Sequence, residues 1–177
     1  MQLKQFVTPV RKRVILNDLY GILGLFGYLL VPPLIVSLLF REFLYTGLLA
    51  GETLICLFPR LVLGKKPSLS LAVTEALVVT ALAYLLFSIV GAVLFLPVAP
   101  FIDGLFEAMS GITTTGLSVM PVESLPNSLL FFRSYSQWIG GAGIVIISLL
   151  LLMGPGLSAF RLYASEYGEV NLAGDVK

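Results

Sequence analysis

Charged residues and histidine are what this sequence most lacks. Only 12% of its 177 residues are charged, about half the share of a typical soluble domain, whereas 58% are hydrophobic. Histidine is absent, which excludes Ser–His–Asp triads, Cys–His dyads and histidine-ligated metal sites. The single cysteine, Cys56, excludes an internal disulfide and a thiolate metal cluster. We therefore expect an integral membrane protein without enzymatic activity and without a cofactor. The net charge of +1 is too small to attract nucleic acid through a basic surface.

Four stretches are long and apolar enough to cross a bilayer as helices, since a span needs about 20 residues. They are residues 19–39, 43–63, 76–102 and 134–160. The second contains Glu52 and Arg60, and the first contains Pro32-Pro33, which should kink or break its helix because proline has no amide donor. The pattern predicts an all-α integral membrane fold.

The basic residues indicate the orientation of the chain. Seven of the eleven Lys and Arg flank the first two spans on one side: Lys4, Arg11, Lys12, Arg13, Arg60, Lys65 and Lys66. Cytoplasmic loops are enriched in such residues. The loop after the third span carries Asp103, Glu107 and Glu123 but no base before Arg133. We expect a multi-pass protein of the cell (inner) membrane with both termini in the cytoplasm and this loop outside.

The basic turn at residues 64–68, which contains Gly64 and Pro67, divides the chain. We expect a basic segment and a two-helix transmembrane hairpin in residues 1–66. Residues 67–155 should form a spanning helix, an unusual loop and a second spanning helix. A polar cytoplasmic tail, residues 156–177, should follow.

The outer loop, residues 100–130, carries the most specific signal. Residues 101–111 have a helical pattern, with Asp103 able to cap the start and Leu105, Met109 and Ile112 near one face. Eleven residues reach only about 16 Å, too short to span the membrane. A short helix followed by irregular backbone between two spans is typical of a re-entrant loop.

Thr113, Thr114, Thr115 and Gly116 follow that short helix. A cation filter needs backbone carbonyls that replace lost hydration water, and glycine reaches the dihedral angles that such a strand requires. Threonine adds hydroxyl oxygens. An ordinary threonine-rich turn is the alternative, but the position between two spans favours a filter, and the three carboxylates of the loop would attract cations to its outer mouth.

Two motifs in order resemble a known family. FEAMSGITTTG at residues 106–116, followed by LFFRSYSQWIGGAGI at residues 130–144, is similar to the first pore repeat of the Trk/Ktr potassium-uptake subunits. The similarity runs over residues 77–153, and the preceding hairpin resembles the extra N-terminal helix pair of the Trk branch.

The resemblance implies a filter in which Gly116 is the filter glycine and Thr114 and Thr115 coordinate potassium. Thr113 would lie at the inner end and Leu117 at the outer end of this strand. A cytoplasmic nucleotide-binding regulatory subunit is implied as a partner. Family members carry four pore repeats, whereas this chain carries one. The others would come from a companion chain, from a longer protein of which this is a fragment, or from copies of itself, and we favour the first two because the family filter is asymmetric.

Several residues outside the filter are candidates for supporting roles. Trp138, Gly140, Gly141 and Gly143 open the last span, and small residues there favour close helix packing over direct ion contact. Arg133 either extends to the headgroups or pairs with Glu107 or Glu123 to brace the loop. Glu52, within the second span, is expected to have a Ser, Thr or neighbouring-chain partner rather than a role in transport. Gly21, Gly24 and Gly27 on the first span and Gly47 with Gly51 on the second should be packing faces.

Potassium transport through one filter strand is the function that the sequence favours. The alternative is a non-conducting scaffold subunit that packs against a larger transporter through its glycines. A membrane enzyme is remote, because Glu52 is the only carboxylate in the middle of a span and no histidine can assist it.

Overall fold

The computed structural model describes residues 11–64 and 73–152, and within these ranges all regular structure is helical. The six α-helices are α1 (Lys12–Leu29), α2 (Val31–Leu39), α3 (Phe43–Leu63), α4 (Val73–Phe95), α5 (Phe101–Ile112) and α6 (Asn127–Leu152). Three segments of the described residues are long and apolar enough to cross a membrane: Lys12–Leu39, Phe43–Val62 and Thr74–Phe95. The predicted all-α membrane fold is confirmed.

The chain divides into two compact units, Met1–Gly141 and Ala142–Lys177. Of the second unit, only the last part of α6 is described. The fourth predicted span, residues 134–160, coincides with α6 as far as Leu152. Its remaining residues and the predicted tail at residues 156–177 lie outside the described residues.

Prolines set two of the helix boundaries. The first predicted span, residues 19–39, contains the second half of α1 and all of α2, and Leu30 separates the two helices. Pro32 and Pro33 fall in the first turn of α2. Proline is tolerated in a first turn but cannot donate to the carbonyls of the preceding helix, so the chain breaks where the sequence predicts.

The prediction that residues 76–102 form a single span is wrong at its end, because this stretch contains parts of two helices. α4 ends at Phe95 and α5 begins at Phe101. Pro97 and Pro100 lie between them and have no backbone N–H, so a continuous helix cannot form there. The prediction that Asp103 caps α5 is wrong. Pro100 is the N-cap residue and no side chain bonds the first amides, while Asp103 lies in the first turn, where its charge still favours the helix dipole.

Glycines bring α1 and α3 together. A Cβ built on Gly27 would lie 2.5 Å from Leu57 Cγ, and one on Gly24 would lie 2.7 Å from Arg60 Cδ. In lipid, such close backbone approach drives association because water exclusion does not. A Cβ built on Gly21, Gly47 or Gly51 would meet no atom of the described residues within 4 Å, apart from chain neighbours and the backbone of its own helix. The prediction of packing faces is therefore right for Gly24 and Gly27 only, within the described residues.

Aromatic rings join the hairpin to the rest of the unit. Phe87 of α4 packs edge-on against Phe26 of α1, with centroids 5.2 Å apart, and stacks on Phe132 of α6 at 5.8 Å. Phe95 contacts Phe132 at 6.2 Å. The core therefore lies where α1, α4 and α6 meet.

Polar contacts tie the hairpin to the other helices at both ends. At one end, Arg11 Nε and Nη2 donate to the two carboxylate oxygens of Glu75, at 2.9 and 2.8 Å. At the other end, Glu42, between α2 and α3, accepts hydrogen bonds from Asn127 and Ser128. Burial alone would raise the pKa of Glu42, but these hydrogen bonds outweigh it and hold the pKa below its usual range.

Alanine substitutions at Gly27 and Gly21 test the glycine contact. Both gain the same helix propensity, but only Gly27→Ala collides with Leu57, including its backbone nitrogen at 3.2 Å. We expect Gly27→Ala to lower the free energy of unfolding by about 1–3 kcal/mol relative to Gly21→Ala, measured by SDS titration of the purified protein in mixed micelles. Equal stabilities would contradict the close approach of α1 and α3.

Candidate ion-binding loop

Helix α5 lies close against α4 through small residues. A Cβ on Gly104 would lie 2.8 Å from the carbonyl oxygen of Ala92, and one on Gly91 would lie 3.0 Å from Ala108 Cβ. The buried residues of α5 are mostly small or polar: Gly104, Glu107, Ala108, Ser110, Gly111 and Ile112. Small residues on this face allow the close helix contact on which association in lipid relies.

After α5 the chain folds back on the end of the helix. The amide of Thr114 donates to the carbonyl of Gly111 at 2.9 Å, and the amides of Thr115 and Gly116 both donate to the carbonyl of Ser110, at 3.0 and 3.2 Å. The three successive amides therefore face the end of α5. In a trans peptide unit the carbonyl of one residue points opposite to the next amide, and no cis bond is present in the described residues. The carbonyls of Thr113, Thr114 and Thr115 consequently point away from the helix end.

This one-sided arrangement requires a reversal of backbone handedness along the loop. Thr113 has φ −83°, Thr114 has φ 60° and Gly116 has φ 76°. The positive φ is free at glycine but costs about 1–2 kcal/mol at a residue with a Cβ, and it is exceptional at a β-branched one. Such strain is concentrated at functional sites, because elsewhere it would be relieved.

The oxygens of the loop are accessible. Residues 114–117 are exposed, and within residues 11–64 and 73–152 no donor bonds the carbonyls of Thr114 or Thr115. The Thr113 hydroxyl donates to the Met109 carbonyl at 2.7 Å and lies 2.8 Å from the Thr115 hydroxyl. The loop thus presents unbonded oxygens on one side while its amides are satisfied on the other.

Glu107 and Ser110 hold the far end of the loop. Glu107 Oε1 accepts hydrogen bonds from the Ser118 hydroxyl at 2.6 Å and the Val119 amide at 2.8 Å. The Ser110 hydroxyl donates to the Leu117 carbonyl at 2.6 Å. Because that carbonyl also lies 3.4 Å from Arg133 Nη2, the oxygen of Leu117 is already engaged by the protein.

A buried ion pair connects this end of the loop to α6. Arg133 Nε lies 2.8 Å from Glu107 Oε2, and the two side chains are 10% and 0% exposed. The contact is a charge pair rather than an aligned hydrogen bond. Of the placements considered for Arg133, the structure has the pair with Glu107. Glu107 is therefore not part of an exposed outer mouth, whereas Glu123 is exposed on a short 3-10 turn, Val122–Ser124.

Helix α6 backs the end of α5 through Gly140. A Cβ there would overlap the carbonyl of Ile112, and a Cβ on Gly111 would collide with the Ser136 hydroxyl. Gly141 is looser, with Thr114 Cγ2 at 3.6 Å from its built Cβ. Trp138 points elsewhere: it is 73% exposed and stacks on Tyr135. Gly143 lies further along α6 and is half-buried.

Glu52 lies on α3. Its side chain is 7% exposed, beside the equally buried Thr53 and one turn before Cys56. Within the described residues, neither its carboxylate oxygens nor the Thr53 hydroxyl has a hydrogen-bond partner. The predicted Ser or Thr partner is thus not found within the described residues, and a base on a neighbouring chain stays a prediction.

The sequence predicted the segment Thr113–Leu117 but missed what holds it. Ser110, Ser118 and Glu42 were not singled out as supporting residues. Ser110 carried a signal, because a small polar residue three positions before Thr113 falls on the last turn of the short helix. Glu42 carried none, since its partners are 85 and 86 residues away.

Fold and loop together define an all-helical membrane protein with a short helix and a strained polar loop between longer helices. Comparison with known proteins gives the family. Residues 55–175 match the TrkH family, described as cation transport protein. The chain therefore belongs to the TrkH family of cation transport proteins.

Curated relatives agree with the family. The chain is 38% identical over 156 residues to an uncharacterized cation transporter of Methanocaldococcus jannaschii, covering 86% of this chain and 33% of the relative. It is 30% identical to the Trk system potassium uptake protein TrkG of Escherichia coli K12, and 30% identical to TrkH of Halomonas elongata; each alignment covers 87% of this chain and 33% of the relative. The chain spans about a third of the length of these transporters.

Removing the charge of Glu107 tests the buried ion pair. Glu107→Gln keeps an oxygen for Ser118 and Val119 but leaves Arg133 buried without its counter-ion. We expect it to destabilise the protein by about 3–5 kcal/mol in SDS titration. Glu123→Gln, an identical change at an exposed carboxylate, should cost less than about 0.5 kcal/mol. Similar effects for the two variants would contradict the assignment.

Adjacent glycines of α6 provide a second matched pair. Gly140→Ala drives a methyl group into the Ile112 carbonyl, which is backbone and cannot rotate away, whereas Gly141→Ala makes an ordinary contact. Gly140→Ala should cost about 3 kcal/mol and Gly141→Ala close to nothing, in the same unfolding assay. The reverse order would show that α6 packs on α5 in another register.

Proposed function

We propose that the chain contributes one selectivity-filter strand to a Trk-type potassium-uptake pore. The observation that supports it most is the one-sided strand: the amides of Thr114, Thr115 and Gly116 are bonded to the end of α5, so three successive threonine carbonyls face the other way. Rings of such carbonyls replace the hydration shell of potassium in known filters.

The proposed coordinating oxygens are the carbonyls of Thr114 and Thr115, with that of Thr113 at the inner end. Gly116 is proposed as the filter glycine, and its φ of 76° supports the assignment. Leu117 is proposed to mark the outer end, where its carbonyl, engaged by Ser110 and Arg133, fixes the loop. Arg133 and Gly140 act as structural support.

One strand encloses no ion, so the proposed pore needs three more repeats. The chain spans about a third of its relatives, which supports a source in additional sequence or a companion chain over four identical copies. We further propose a cytoplasmic nucleotide-binding regulatory subunit as a partner, and an inner-membrane location with both termini in the cytoplasm. The exposed filter segment, residues 114–117, is the surface that the other strands would adjoin.

The scaffold alternative is less well supported. It expects the glycines of α6 to pack against another protein, whereas Gly140 packs against Ile112 of this same chain. Packing within the chain leaves that glycine unavailable to a partner.

Two glycines with positive φ test the filter. Gly116 has φ 76° and Gly64 has φ 70°, so alanine is strained at both positions. A Cβ on Gly64 would meet no atom within 4 Å, and one on Gly116 would meet only Gln137 Nε2, at an ordinary contact distance of 3.7 Å. Only Gly116 lies in the proposed filter. We expect Gly116→Ala to lower potassium uptake at least about tenfold, and Gly64→Ala to leave it near the normal rate.

Uptake is measured in potassium-requiring cells that make the complete transporter containing this chain, with the amount in the membrane determined for each variant. Wild-type uptake by Gly116→Ala at a normal amount of protein would overturn the filter assignment.

A further inference from the structure

The hairpin made by α1, α2 and α3 has no role in the proposed filter, yet its outer turn contacts the helix that braces the loop. Glu42 lies in that turn, and its carboxylate is bonded to the first residues of α6. The residues involved are about 85 positions apart in the chain.

The first amides of α6 have no partner of their own. The residue before the helix is Pro126, which has no capping side chain, and the first turn contains no acidic residue. The first amides of a helix need an acceptor, and a negative charge there is favoured by the helix dipole. Glu42 supplies both: Oε1 accepts the Asn127 amide at 2.8 Å and Oε2 accepts the Ser128 amide at 3.0 Å, and the Ser128 hydroxyl also donates to Oε2.

Hydrogen bonds fix the conformation of the turn that carries Glu42. At the end of α2, the Glu42 amide donates to the Ser37 carbonyl and the Arg41 amide to the Leu38 carbonyl. This pair of bonds is a Schellman motif, with Arg41 at the left-handed position, φ 58°, where glycine is usual. The Ser37 hydroxyl, 2.9 Å from that of Thr46, further links the two sides of the turn. Glu42 is therefore held in place before it meets α6.

Helix α6 transmits this position to the loop. Arg133, one and a half turns after Ser128, pairs with Glu107 and lies 3.4 Å from the Leu117 carbonyl. Gly140, two turns further on, backs the Ile112 carbonyl just before Thr113. A shift or rotation of α6 would thus move both ends of the proposed filter strand.

We propose that Glu42 is a positioning residue for the filter strand: by capping α6 from the outer turn of the hairpin, it fixes the helix that braces residues 113–119. The inference rests on the proposed function for its effect on ions, but its structural part is independent of it. It gives the N-terminal hairpin a share in the geometry of the ion pathway.

Hydrogen exchange of the full chain in lipid nanodiscs tests the structural part. Glu42→Ala should raise the exchange of the amides of residues 127–130 about tenfold, as expected for loss of a helix cap, and should also raise exchange at residues 114–119. Glu42→Asp, which keeps the charge, should restore part of the protection. Glu123→Ala, which removes an exposed carboxylate of the same outer region, should change neither segment.

Three exchange results would overturn the inference: no change in either segment, a change confined to residues 127–130, or equal effects of Glu42→Ala and Glu123→Ala. If the amides of Glu42→Ala exchange rapidly throughout the chain, this variant is unfolded. The inference is then tested by the exchange of the same two segments in Ser128→Ala. That variant removes one donor to the carboxylate and should give a smaller rise in both.

The ratio of potassium to sodium uptake by the complete transporter tests the effect on ions, because a variant that is merely less abundant lowers both rates alike. Glu42→Ala should lower this ratio severalfold, and Glu42→Asp should recover part of it. If Gly116→Ala abolishes selectivity while Glu42→Ala keeps the normal ratio, the inference fails alone. If Gly116→Ala also keeps it, the proposed function fails.

Discussion

The buried contact between Glu107 and Arg133 is the interaction on which the loop depends. A non-helical segment inside a membrane protein must find partners for its polar groups within the protein, because lipid offers none. One carboxylate meets much of this need, since Glu107 accepts from Ser118 and the Val119 amide and also balances the charge of Arg133. The same side chain joins α5, the loop and α6. Without it, the Val119 amide and the Ser118 hydroxyl would lose this acceptor, and the buried guanidinium of Arg133 would lose its counter-ion.

Close packing at glycine determines where those partners lie. Gly104 and Gly91 bring α5 against α4, and Gly140 brings α6 against the last carbonyl of α5. Helix association in lipid relies on such van der Waals contact and on interhelical polar bonds. The aromatic contacts of Phe26, Phe87 and Phe132 then attach the hairpin to this assembly. The loop is thus held by close contacts with α5 and α6. The strained positive φ of Thr114 persists because these contacts fix the backbone on both sides of it.

Much of the fold follows from sequence because it depends on local chemistry. The proline break at Pro32, the short helix at residues 101–111 and the threonine-glycine segment were all readable from residue type and spacing. The features that the sequence did not predict depend mainly on contacts between residues that are distant in the chain. The sequence offered a pair of Arg133 with Glu107 or Glu123 as one alternative, but the choice of Glu107 and the burial of its carboxylate depend on how α5 and α6 pack. Asp103 does not cap α5, because Pro100 already fixes the start. The positive φ of Thr114 had no signal, since sequence assigns that conformation to Gly116.

The proposed binding of dehydrated potassium by the carbonyls of residues 113–115 is tested most directly by imaging the complete transporter in lipid with rubidium in place of potassium. Anomalous scattering from crystals grown in rubidium should place an ion within coordination distance of the Thr114 and Thr115 carbonyls, and crystals grown in sodium alone should show none. Those carbonyls bonded to donors of a neighbouring chain, or facing lipid with no ion beside them at saturating rubidium, would contradict a filter at this loop.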